Sequence, residues 1–558
     1  MISDKLSVAR MVSICNAMGI EDIVFSPGSR NAPLTISFVE SNKFNCYTIP
    51  DERVAAFFAM GLSIKKGKPT AICCTSGTAA LNYAPAICEA YYQGVPMLVL
   101  TADRPAEWID QGIGQCMRQN NVYSNYIKSS HTLIQEASEE AQLKENDNIV
   151  VQAIKETQEG FPGPVHINIP LAEPLYNTLE NYTFELPNWS ETDEVKTPFE
   201  LEDSLLVSWK QSKRKIIILG LHAPDDELEA SLNMLQERGD VVVLTETGGN
   251  CFVSDAVQTI DRFITGFGAE SETYKADMVI SLGGPIVSKK IKSYFLNNKP
   301  QNHWHVSLDG AKNMFKALSA YLCVKPTEFT KALIKVDSSN DEAFQNLWIG
   351  GNRALISEHE RFLSQVVWSD FKAFSMLLPA IPSESVLHMG NSTVVRYIQL
   401  FEQRPELKYY GNRGVSGIDG CTSTAMGYAS WSDELNVLIT GDIAFYYDSN
   451  ALWHGHIPKN IRIIIINNQG GGIFRIIDGP SSTRQLKTYF ESYQSTNAQK
   501  LVEQYGLRYY HASDEAELNS AMELLFDADC GPAVLEIFTP REVNDKVLSA
   551  YFMSIHGG

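Results

Sequence analysis

Short apolar runs alternate with longer amphipathic stretches along most of the chain. In the first third, the apolar runs predict strands at Asp22–Phe25, Cys46–Ile49, Thr70–Cys74, Met97–Thr101 and Val165–Ile169, with helices between them. Runs of this length, separated by helical periodicity, are typical of parallel β-sheets covered by helices. The pattern therefore predicts an α/β fold.

The same alternation recurs twice further along the chain. The second unit has predicted strands at Lys215–Leu219, Val241–Leu244, Met278–Leu282 and Trp304–Ser307, and a helix at Asp225–Arg238. The third has a helical run at Glu360–Leu378 and strands at Val386–Met389, Val437–Thr440 and Ile461–Asn467. Polar stretches at 183–200 and 338–342 separate the units. We predict three doubly wound parallel-sheet domains, at residues 1–181, 200–345 and 360–558.

Composition and charge narrow the classes of partner. The 558 residues are 44% hydrophobic and 20% charged, as in ordinary globular proteins, and the net charge is −20. Such a charge disfavours nucleic acid and anionic membranes as partners, because both require a positive surface. No apolar run approaches the roughly 18 residues that would span a bilayer, and the N-terminus lacks a signal-peptide pattern. We therefore expect a cytoplasmic protein.

Two polar residues follow predicted strands of the third unit. Asp442 comes after Val437–Thr440, and Asn468 comes after the almost continuously apolar run Ile461–Asn467. The intervening segment ALWHGHIP is expected to supply a crossover helix, which would place the two strand ends side by side. This is the edge at which open α/β sheets bind ligands.

An Asp carboxylate, an Asn amide oxygen and a backbone carbonyl of the turn Gln469–Gly472 form a ligand set that suits magnesium. They would leave coordination positions for a diphosphate, and the glycines would allow close backbone approach. Asp, Asn and Gly are also common turn formers, so each dipeptide alone would indicate an ordinary turn. Their order, spacing and strand context favour a metal and diphosphate site.

With these features the chain resembles the thiamine-diphosphate enzyme superfamily, whose metal motif runs Gly-Asp-Gly, a spacer and then Asn-Asn. Ile443 stands where many members have the second Gly. The resemblance implies thiamine diphosphate as cofactor, with Mg²⁺ or Mn²⁺ held by Asp442, Asn468 and the Gly470 carbonyl. It also implies that the three predicted domains are a pyrimidine-binding, a Rossmann-like and a diphosphate-binding domain.

This superfamily also uses a carboxylate that hydrogen-bonds the aminopyrimidine ring of the cofactor. Glu52 stands at the matching place, because it follows the predicted strand CYTI and opens the amphipathic helix ERVAAFFAMGLSIKK. An acidic residue at a helix N-terminus is also favoured by the helix dipole alone. Together with the metal motif, the position implies catalysis by Glu52, with a pKa raised by burial and opposed by the helix N-terminus.

Longer segments resemble one family within the superfamily. They are FSPGSRNAPL (25–34), TSGTAALNYAPAICEAYYQGVPMLVLTADRP (75–105), GQCMRQ (114–119), GNSTVVR (390–396) and YGNRGVSGIDGCTSTAMG (410–427). They are similar to the MenD family, the 2-succinyl-5-enolpyruvyl-6-hydroxy-3-cyclohexene-1-carboxylate synthases of menaquinone biosynthesis. The resemblance implies a transferase that decarboxylates 2-oxoglutarate and adds the resulting enamine to isochorismate. Both substrates are dianions.

Arginine binds carboxylates bidentately, which makes the guanidinium groups of these segments candidate substrate ligands. For any single arginine, a structural ion pair is the alternative. The implied catalytic residues are Glu52, Arg30, Arg396 and Arg413. The implied substrate ligands are Ser29, Arg30, Arg104, Gln115, Lys289 (or its neighbour Lys290), Ser392, Arg396 and Arg413. The implied cofactor ligands are Glu52, Thr75, Ser76, Gly77, Ser416, Ile418, Asp442, Ile443, Asn468, Gly470, Ile473 and Phe474.

Two other functions remain open at this point. One is another thiamine-diphosphate-dependent 2-oxoacid decarboxylase or carboligase, which would act on smaller, monoanionic acceptors. The other is a cofactor-binding protein without catalysis, against which Glu52, Asp442 and Asn468 argue. Because the superfamily shares its site between subunits, the resemblance also implies a homodimer or homotetramer.

Overall fold

A computed structural model describes residues 1–180, 182–189, 198–267, 272–337, 341–477 and 479–556. The fold is α/β with three parallel sheets, which confirms the predicted class. Part of the first predicted linker, at 190–197, and residues 338–340 of the second lie outside the described residues. The chain divides into two compact units, of which the first comprises Met1–Glu194, Asn412–Glu434 and Ala444–Ile461. The three-domain division stays a prediction.

The first unit is built on a six-stranded parallel sheet. In spatial order its strands are Asn45–Thr48, Asp22–Phe25, Thr70–Cys74, Met97–Asp103, Pro164–Pro170 and Ser130–Thr132. Its helices are Leu6–Ala17, Ala32–Glu40, Glu52–Lys66, Thr78–Asn82, Ala84–Gln93, Glu140–Glu156 and Cys421–Ala429. Ile2–Ser3 and Thr178–Leu179 form a separate antiparallel pair. The central strands are buried on both faces, as their continuous apolar sequences predict.

The second unit contains two parallel sheets. The first runs Val241–Thr245, Lys215–Leu219, Met278–Leu282, Asn302–Val306 and Leu318–Leu322. The other runs Lys408–Tyr410, Val386–Met389, Asn436–Gly441, Ile461–Asn467, Ala533–Phe538 and Arg508–Ala512. The helices are Asp203–Gln211, Asp226–Glu237, Ile260–Gly266, Lys289–Asn297, Pro326–Ile334, Ala343–Leu363, Asp370–Ala380, Thr393–Ile398, Ile473–Ile476, Gln499–Gln504, Glu515–Leu525 and Asn544–His556. No helix in the described ranges is long and apolar enough to cross a membrane.

The sequence pattern missed several strands of these sheets. Leu318–Leu322, Lys408–Tyr410 and Arg508–Ala512 are edge strands with partly exposed side chains, so they lack the continuous apolar signal of a central strand. Ala533–Phe538 is buried but contains Glu536, which breaks its apolar run. The Glu536 carboxylate accepts hydrogen bonds from Asn467 Nδ2 at 2.7 Å and from the Tyr509 hydroxyl at 2.7 Å.

Two predicted helices differ from the structure. The run Glu360–Leu378 is divided between Ala343–Leu363 and Asp370–Ala380, because Ser369 interrupts it as the N-cap of the second helix, accepting from Lys372 N at 3.3 Å. The segment ALWHGHIP is not a helix; a helix covers Asp442–Tyr447 and a 3₁₀ turn covers Ser449–Leu452. Gly455, with φ of 81°, and the following proline oppose helix there.

The helix Glu52–Lys66 has clear signals at both ends. The Asp51 carboxylate caps it by accepting from Val54 N at 3.2 Å, and it ends at Gly67, which adopts a left-handed conformation with φ of 64°. It packs against Cys421–Ala429 through reciprocal backbone contacts. A Cβ at Gly61 would overlap the Thr424 carbonyl, and one at Gly427 would overlap the Phe58 carbonyl. Only glycine permits this approach.

Candidate active site

Asp442 and Asn468 lie at the carboxyl ends of neighbouring strands. Asn436–Gly441 and Ile461–Asn467 are adjacent in their sheet, as the predicted site requires. The Asp442 side chain is 2% exposed and accepts from Gln494 Nε2 at 2.7 Å and from Ile443 N at 2.8 Å. Burial raises the pKa of Asp442 to about 6, and these donors, with the Gly470 N–H, oppose the increase.

The Asn468 amide is oriented by a buried carboxylate. Asn468 Nδ2 donates to Asp370 Oδ2 at 3.0 Å, and Thr539 Oγ1 donates to the other oxygen, Oδ1, at 2.6 Å. Burial raises the pKa of Asp370 to about 6, and both donors oppose that increase. Outer partners of this kind orient the groups that bind metals directly.

The turn after Asn468 brings its backbone close to the segment around Glu491 of the same chain. Gln469 has φ of 65° and Gly470 has φ of 144°, a conformation open mainly to glycine. Gly471 N donates to the Glu491 carbonyl at 2.7 Å, and Gly472 N donates to the Gly470 carbonyl at 2.9 Å. The half-buried Ile473 and Phe474 then begin the short helix Ile473–Ile476. The described residues contain no group of three His, Cys, Asp or Glu side chains suited to a metal.

These features fit a hard cation bound together with a diphosphate. One buried carboxylate, one oriented amide and a glycine turn supply oxygens of the type that Mg²⁺ and Mn²⁺ accept, while phosphate oxygens would complete the coordination. Ile443, half-buried directly after Asp442, stands in place of the second glycine of the motif, and Asp442 remains buried beside it.

Glu52 is the first residue of its helix and is half-buried. Burial raises the pKa of its carboxyl, a backbone N–H opposes the increase, and the nearby Asp51 charge adds to it. This direction agrees with the one expected from the sequence. The Glu52 charge also contributes to the raised pKa of Cys74, so the carboxylate lies near the end of the strand Thr70–Cys74.

The segment Thr75-Ser76-Gly77 follows that strand end. A Cβ at Gly28 would overlap the Thr75 side chain, so the two loops lie in direct contact. Gly77, with φ of 88°, donates its N–H to Gln119 Oε1 at 2.8 Å. The Ser76 hydroxyl is buried and has no hydrogen-bond partner among the described residues. An unsatisfied buried hydroxyl at a strand end fits a site for a polar ligand.

Two predicted arginines lie close together in the first unit. Arg30 is 2% exposed and donates to the Leu171 carbonyl at 2.8 Å and to Glu173 Oε1 at 3.0 Å. Arg104 donates to Gln115 Oε1 at 3.4 Å, and both guanidinium groups lie 5.9 Å from the Trp108 ring. Burial, followed by the Arg104 charge, lowers the pKa of Arg30. Ser29, adjacent to Arg30, and Gln115 are exposed.

A third predicted arginine lies in the glycine-rich loop 412–420 of the same unit. Arg413 is 8% exposed, while Ser416 and Ile418 are half-buried, and Ser416 has φ of 65°. Glu89 accepts hydrogen bonds from backbone N–H groups of this loop. The sequence analysis did not single out Glu89, although a charged residue inside the apolar helix AICEAYY was a usable signal.

Arg396 lies in the second unit and donates to the carbonyl of Ser392, a residue with φ of 68°. Lys289 is exposed at the start of the helix Lys289–Asn297. Lys290 is engaged: its Nζ donates to Thr265 Oγ1 at 2.6 Å and lies 3.7 Å from the Phe552 ring centroid. The two lysines thus differ in exposure and contacts, and the assignment of one of them as a substrate ligand stays a prediction.

Glu246 fixes the backbone just before these lysines. Its buried carboxylate accepts from Val287 N and Ser288 N, each at 2.6 Å, and Ser288 Oγ donates to Asp261. Burial raises the pKa of Glu246 to about 7. The sequence analysis missed Glu246, whose signal was an acidic residue directly after the apolar strand VVVLT.

The strand-end carboxylate, the oriented amide and the glycine turn are consistent with a thiamine pyrophosphate enzyme, and two family models show that class. The family described as "Thiamine pyrophosphate enzyme, N-terminal TPP binding domain" matches residues 8–122, and its C-terminal TPP binding domain matches residues 388–537. Thiamine pyrophosphate, or thiamine diphosphate, is accordingly the cofactor.

Relatives that match along their full length identify the family within the thiamine pyrophosphate enzymes. The chain is 42% identical to a protein of Flavobacterium johnsoniae and 40% identical to one of Flavobacterium psychrophilum, over 100% of this chain and of each relative. It is 37% identical to a Porphyromonas gingivalis protein, over 100% of this chain and 98% of that one. All three are named 2-succinyl-5-enolpyruvyl-6-hydroxy-3-cyclohexene-1-carboxylate synthase. The chain belongs to this synthase family and is a transferase.

Proposed function

We propose that the chain decarboxylates 2-oxoglutarate and joins the remaining four-carbon fragment to isochorismate, giving 2-succinyl-5-enolpyruvyl-6-hydroxy-3-cyclohexene-1-carboxylate for menaquinone biosynthesis. The observation that carries this proposal is the pairing of Arg30 and Arg104 over Trp108 in a protein of net charge −20. The two guanidinium groups, the first of them paired with Glu173, present N–H donors of the kind that bind a substrate carboxylate bidentately. The thiamine cofactor supplies an acidic ring carbon and accepts the electron pair left when carbon dioxide departs.

Asp442, Asn468 and the Gly470 carbonyl would hold Mg²⁺ or Mn²⁺ and, through it, the diphosphate of the cofactor. The Asp370 hydrogen bond at 3.0 Å supports this role for Asn468, because it leaves the amide oxygen as the end directed elsewhere. Ile443, Ile473 and Phe474, half-buried beside this group in sequence, would contact the cofactor. Both metals accept oxygen ligands of this kind.

Glu52 would hold a proton at its carboxyl oxygen and exchange it with the aminopyrimidine ring. Its raised pKa supports the role, because a carboxyl with a pKa nearer neutrality both donates and accepts a proton readily. Thr75, Ser76 and Gly77, which follow the strand Thr70–Cys74, would contact the same ring, and the unpaired Ser76 hydroxyl supports that placement. Ser416 and Ile418 would contact the cofactor, with Ile418 as an apolar support.

The remaining predicted residues would bind the two dianions. Arg30, Arg104, Gln115 and Ser29 form one group in the first unit, and Arg413 lies in the loop 412–420 of that unit. Ser392, Arg396 and Lys289 belong to the second unit, and Ser392, Arg396 and Arg413 would lie nearer isochorismate. Guanidinium groups fix planar carboxylates through two parallel hydrogen bonds. Arg30, Arg396 and Arg413 would in this way orient the reacting carbons as well as bind the substrates.

The proposal also covers the domains of the chain, its oligomeric state and its location in the cell. Residues 1–181, 200–345 and 360–558 would be the pyrimidine-binding, Rossmann-like and diphosphate-binding domains. The protein would act in the cytoplasm as a homodimer or homotetramer with its site shared between subunits. Sedimentation velocity at two concentrations distinguishes a monomer, dimer and tetramer.

The decisive experiment measures carbon dioxide release and adduct formation with thiamine diphosphate and Mg²⁺. We expect turnover with 2-oxoglutarate and isochorismate together, and little with pyruvate. Pyruvate turnover without a requirement for isochorismate would instead support a different 2-oxoacid decarboxylase or carboligase. Cofactor-dependent thermal stabilisation with no carbon dioxide release from any 2-oxoacid would indicate a binding protein without catalysis.

A further inference from the structure

The loop 413–418 contains three residues of the proposed site: Arg413, Ser416 and Ile418. None of its residues belongs to a helix or strand. Ser416 adopts φ of 65°, which a residue with a side chain rarely does. Such a conformation persists only when the surrounding structure holds it.

A single carboxylate makes successive contacts with this loop. Glu89 is 1% exposed on the helix Ala84–Gln93 and accepts from three consecutive backbone N–H groups. Gly414 N donates to Glu89 Oε1, Val415 N to Oε2 at 2.8 Å and Ser416 N to Oε2 at 3.3 Å. Hydrogen bonds from backbone N–H to an ionised acceptor are among the stronger ones in proteins.

The loop also rests directly on the helix that carries Glu89. A Cβ at Gly414 would lie 2.6 Å from the Glu89 carbonyl and 3.1 Å from Gln93 N, so a side chain there would displace the loop. The bonded N–H groups begin immediately after Arg413. The backbone that sets the direction of the Arg413 side chain is thus fixed from one side by Glu89.

We propose that Glu89 is a positioning residue that directs the Arg413 guanidinium toward its substrate carboxylate by holding the backbone of residues 414–416. The inference rests on the proposed function, in which Arg413 binds isochorismate. Burial raises the pKa of Glu89, and the three N–H groups and the charge of Arg413 oppose that increase. The ionised form is the one that can accept all three hydrogen bonds. In a glutamine at this position, the side-chain NH₂ group would face a backbone N–H of the loop, and two donors cannot form a hydrogen bond.

The kinetic test uses Glu89→Gln in the full-length protein with thiamine diphosphate and Mg²⁺. We expect KM for isochorismate to rise about tenfold, while KM for 2-oxoglutarate changes less than threefold. Glu89→Asp, which keeps the charge on a shorter side chain, should recover part of the loss. Gly414→Ala displaces the loop by a different route and should reproduce the same selective rise in KM.

Asp147→Asn is the matched control for loss of stability. Asp147 is another buried carboxylate of the first unit, paired with Arg10 at 2.6 Å, and it does not contact the loop. This variant should lower Tm and leave KM for isochorismate within twofold of wild type. If Glu89→Gln behaved in the same way as Asp147→Asn, the positioning role would be wrong.

A second measurement does not depend on activity. Amide hydrogen exchange in the protein without added cofactor should be slow at residues 414–416 and accelerate at least tenfold in Glu89→Gln, with the strand Met97–Asp103 unchanged. Unchanged exchange would overturn the inference. If wild type showed this protection but did not turn over isochorismate, the proposed function would fail while the contact between Glu89 and the loop stood.

Discussion

The side-chain amide of Asn468 donates to the Asp370 carboxylate at 3.0 Å, although the two residues are 98 positions apart in sequence. This bond determines which end of the amide faces Asp370 and which end remains for another partner. Thr539 and the Asp370 backbone contact with Asn544 keep the carboxylate in place.

Replacing Asp370 tests whether this orientation matters for metal binding. In Asp370→Asn, residue 370 can present either an oxygen or an N–H₂ group, so Asn468 can turn. We expect the affinity for Mg²⁺, measured by titration in the presence of thiamine diphosphate, to fall by about 10- to 100-fold. Thr539→Val removes the hydroxyl that donates to Asp370 Oδ1 and keeps the Asn468 bond, so it should change the affinity less than threefold. Equal affinities in wild type and Asp370→Asn would contradict the role.

Glu52→Gln tests proton transfer at the aminopyrimidine. The amide keeps the size of the side chain but cannot exchange the proton, so turnover should fall by about 10²- to 10⁴-fold with little change in cofactor affinity. Asp51→Asn retains a capping oxygen at the same helix start and should keep turnover within about threefold. Activity of Glu52→Gln near that of wild type would remove Glu52 from the mechanism.

Arg413→Lys keeps the positive charge but loses the bidentate geometry. Turnover with isochorismate should fall more than tenfold, and binding of thiamine diphosphate should survive. Arg404→Lys is the matched control, because Arg404 donates to the Leu378 and Ile381 carbonyls and is not a proposed ligand. A change of twofold or less, about 0.4 kcal/mol, would show that Arg413 does not clamp a carboxylate.

Because the pKa of Glu246 is raised, we expect the stability of the fold to depend on pH. Burial raises its pKa from the ordinary value of 4.5 to about 7, with Asp261 adding to the increase and Lys292 and the Val287 and Ser288 N–H groups opposing it. Its contribution to stability is therefore present below pH 4.5 and lost as pH rises through 7. We expect the urea midpoint of wild type, relative to that of Glu246→Gln, to be higher at pH 5 than at pH 8. A pH-independent difference would contradict the shift.

Gly61→Ala tests the close approach of two helices in the first unit. The added Cβ would overlap the Thr424 carbonyl, which is backbone and cannot rotate away. We expect a loss of about 1–3 kcal/mol in the free energy of unfolding, measured by denaturant titration. Gly350→Ala, on an exposed helical position with open space, should instead raise stability by about 0.4–1 kcal/mol. Similar effects at both positions would argue against the packing.

The sequence predicted features that depend on local order along the chain. Asp442 and Asn468 could be recognised because each directly follows a buried strand, and parallel strands end at the same edge of a sheet. Glu89 could not be assigned a partner in this way, since Gly414 lies 325 positions away. The contacts of Lys290 with Thr265 and Phe552 likewise could not be predicted, because no spacing rule brings these residues together.

The first unit is assembled from segments that lie far apart in the sequence, which affects how it folds during translation. Its N-terminal sheet shares a compact unit with Asn412–Glu434 and Ala444–Ile461, and the helix Glu52–Lys66 packs on Cys421–Ala429 through glycine. During translation, the packing of the N-terminal sheet is therefore incomplete until about residue 461 has left the ribosome. During that interval the apolar face that later receives Cys421–Ala429 is uncovered, which makes the nascent chain a candidate for chaperone binding.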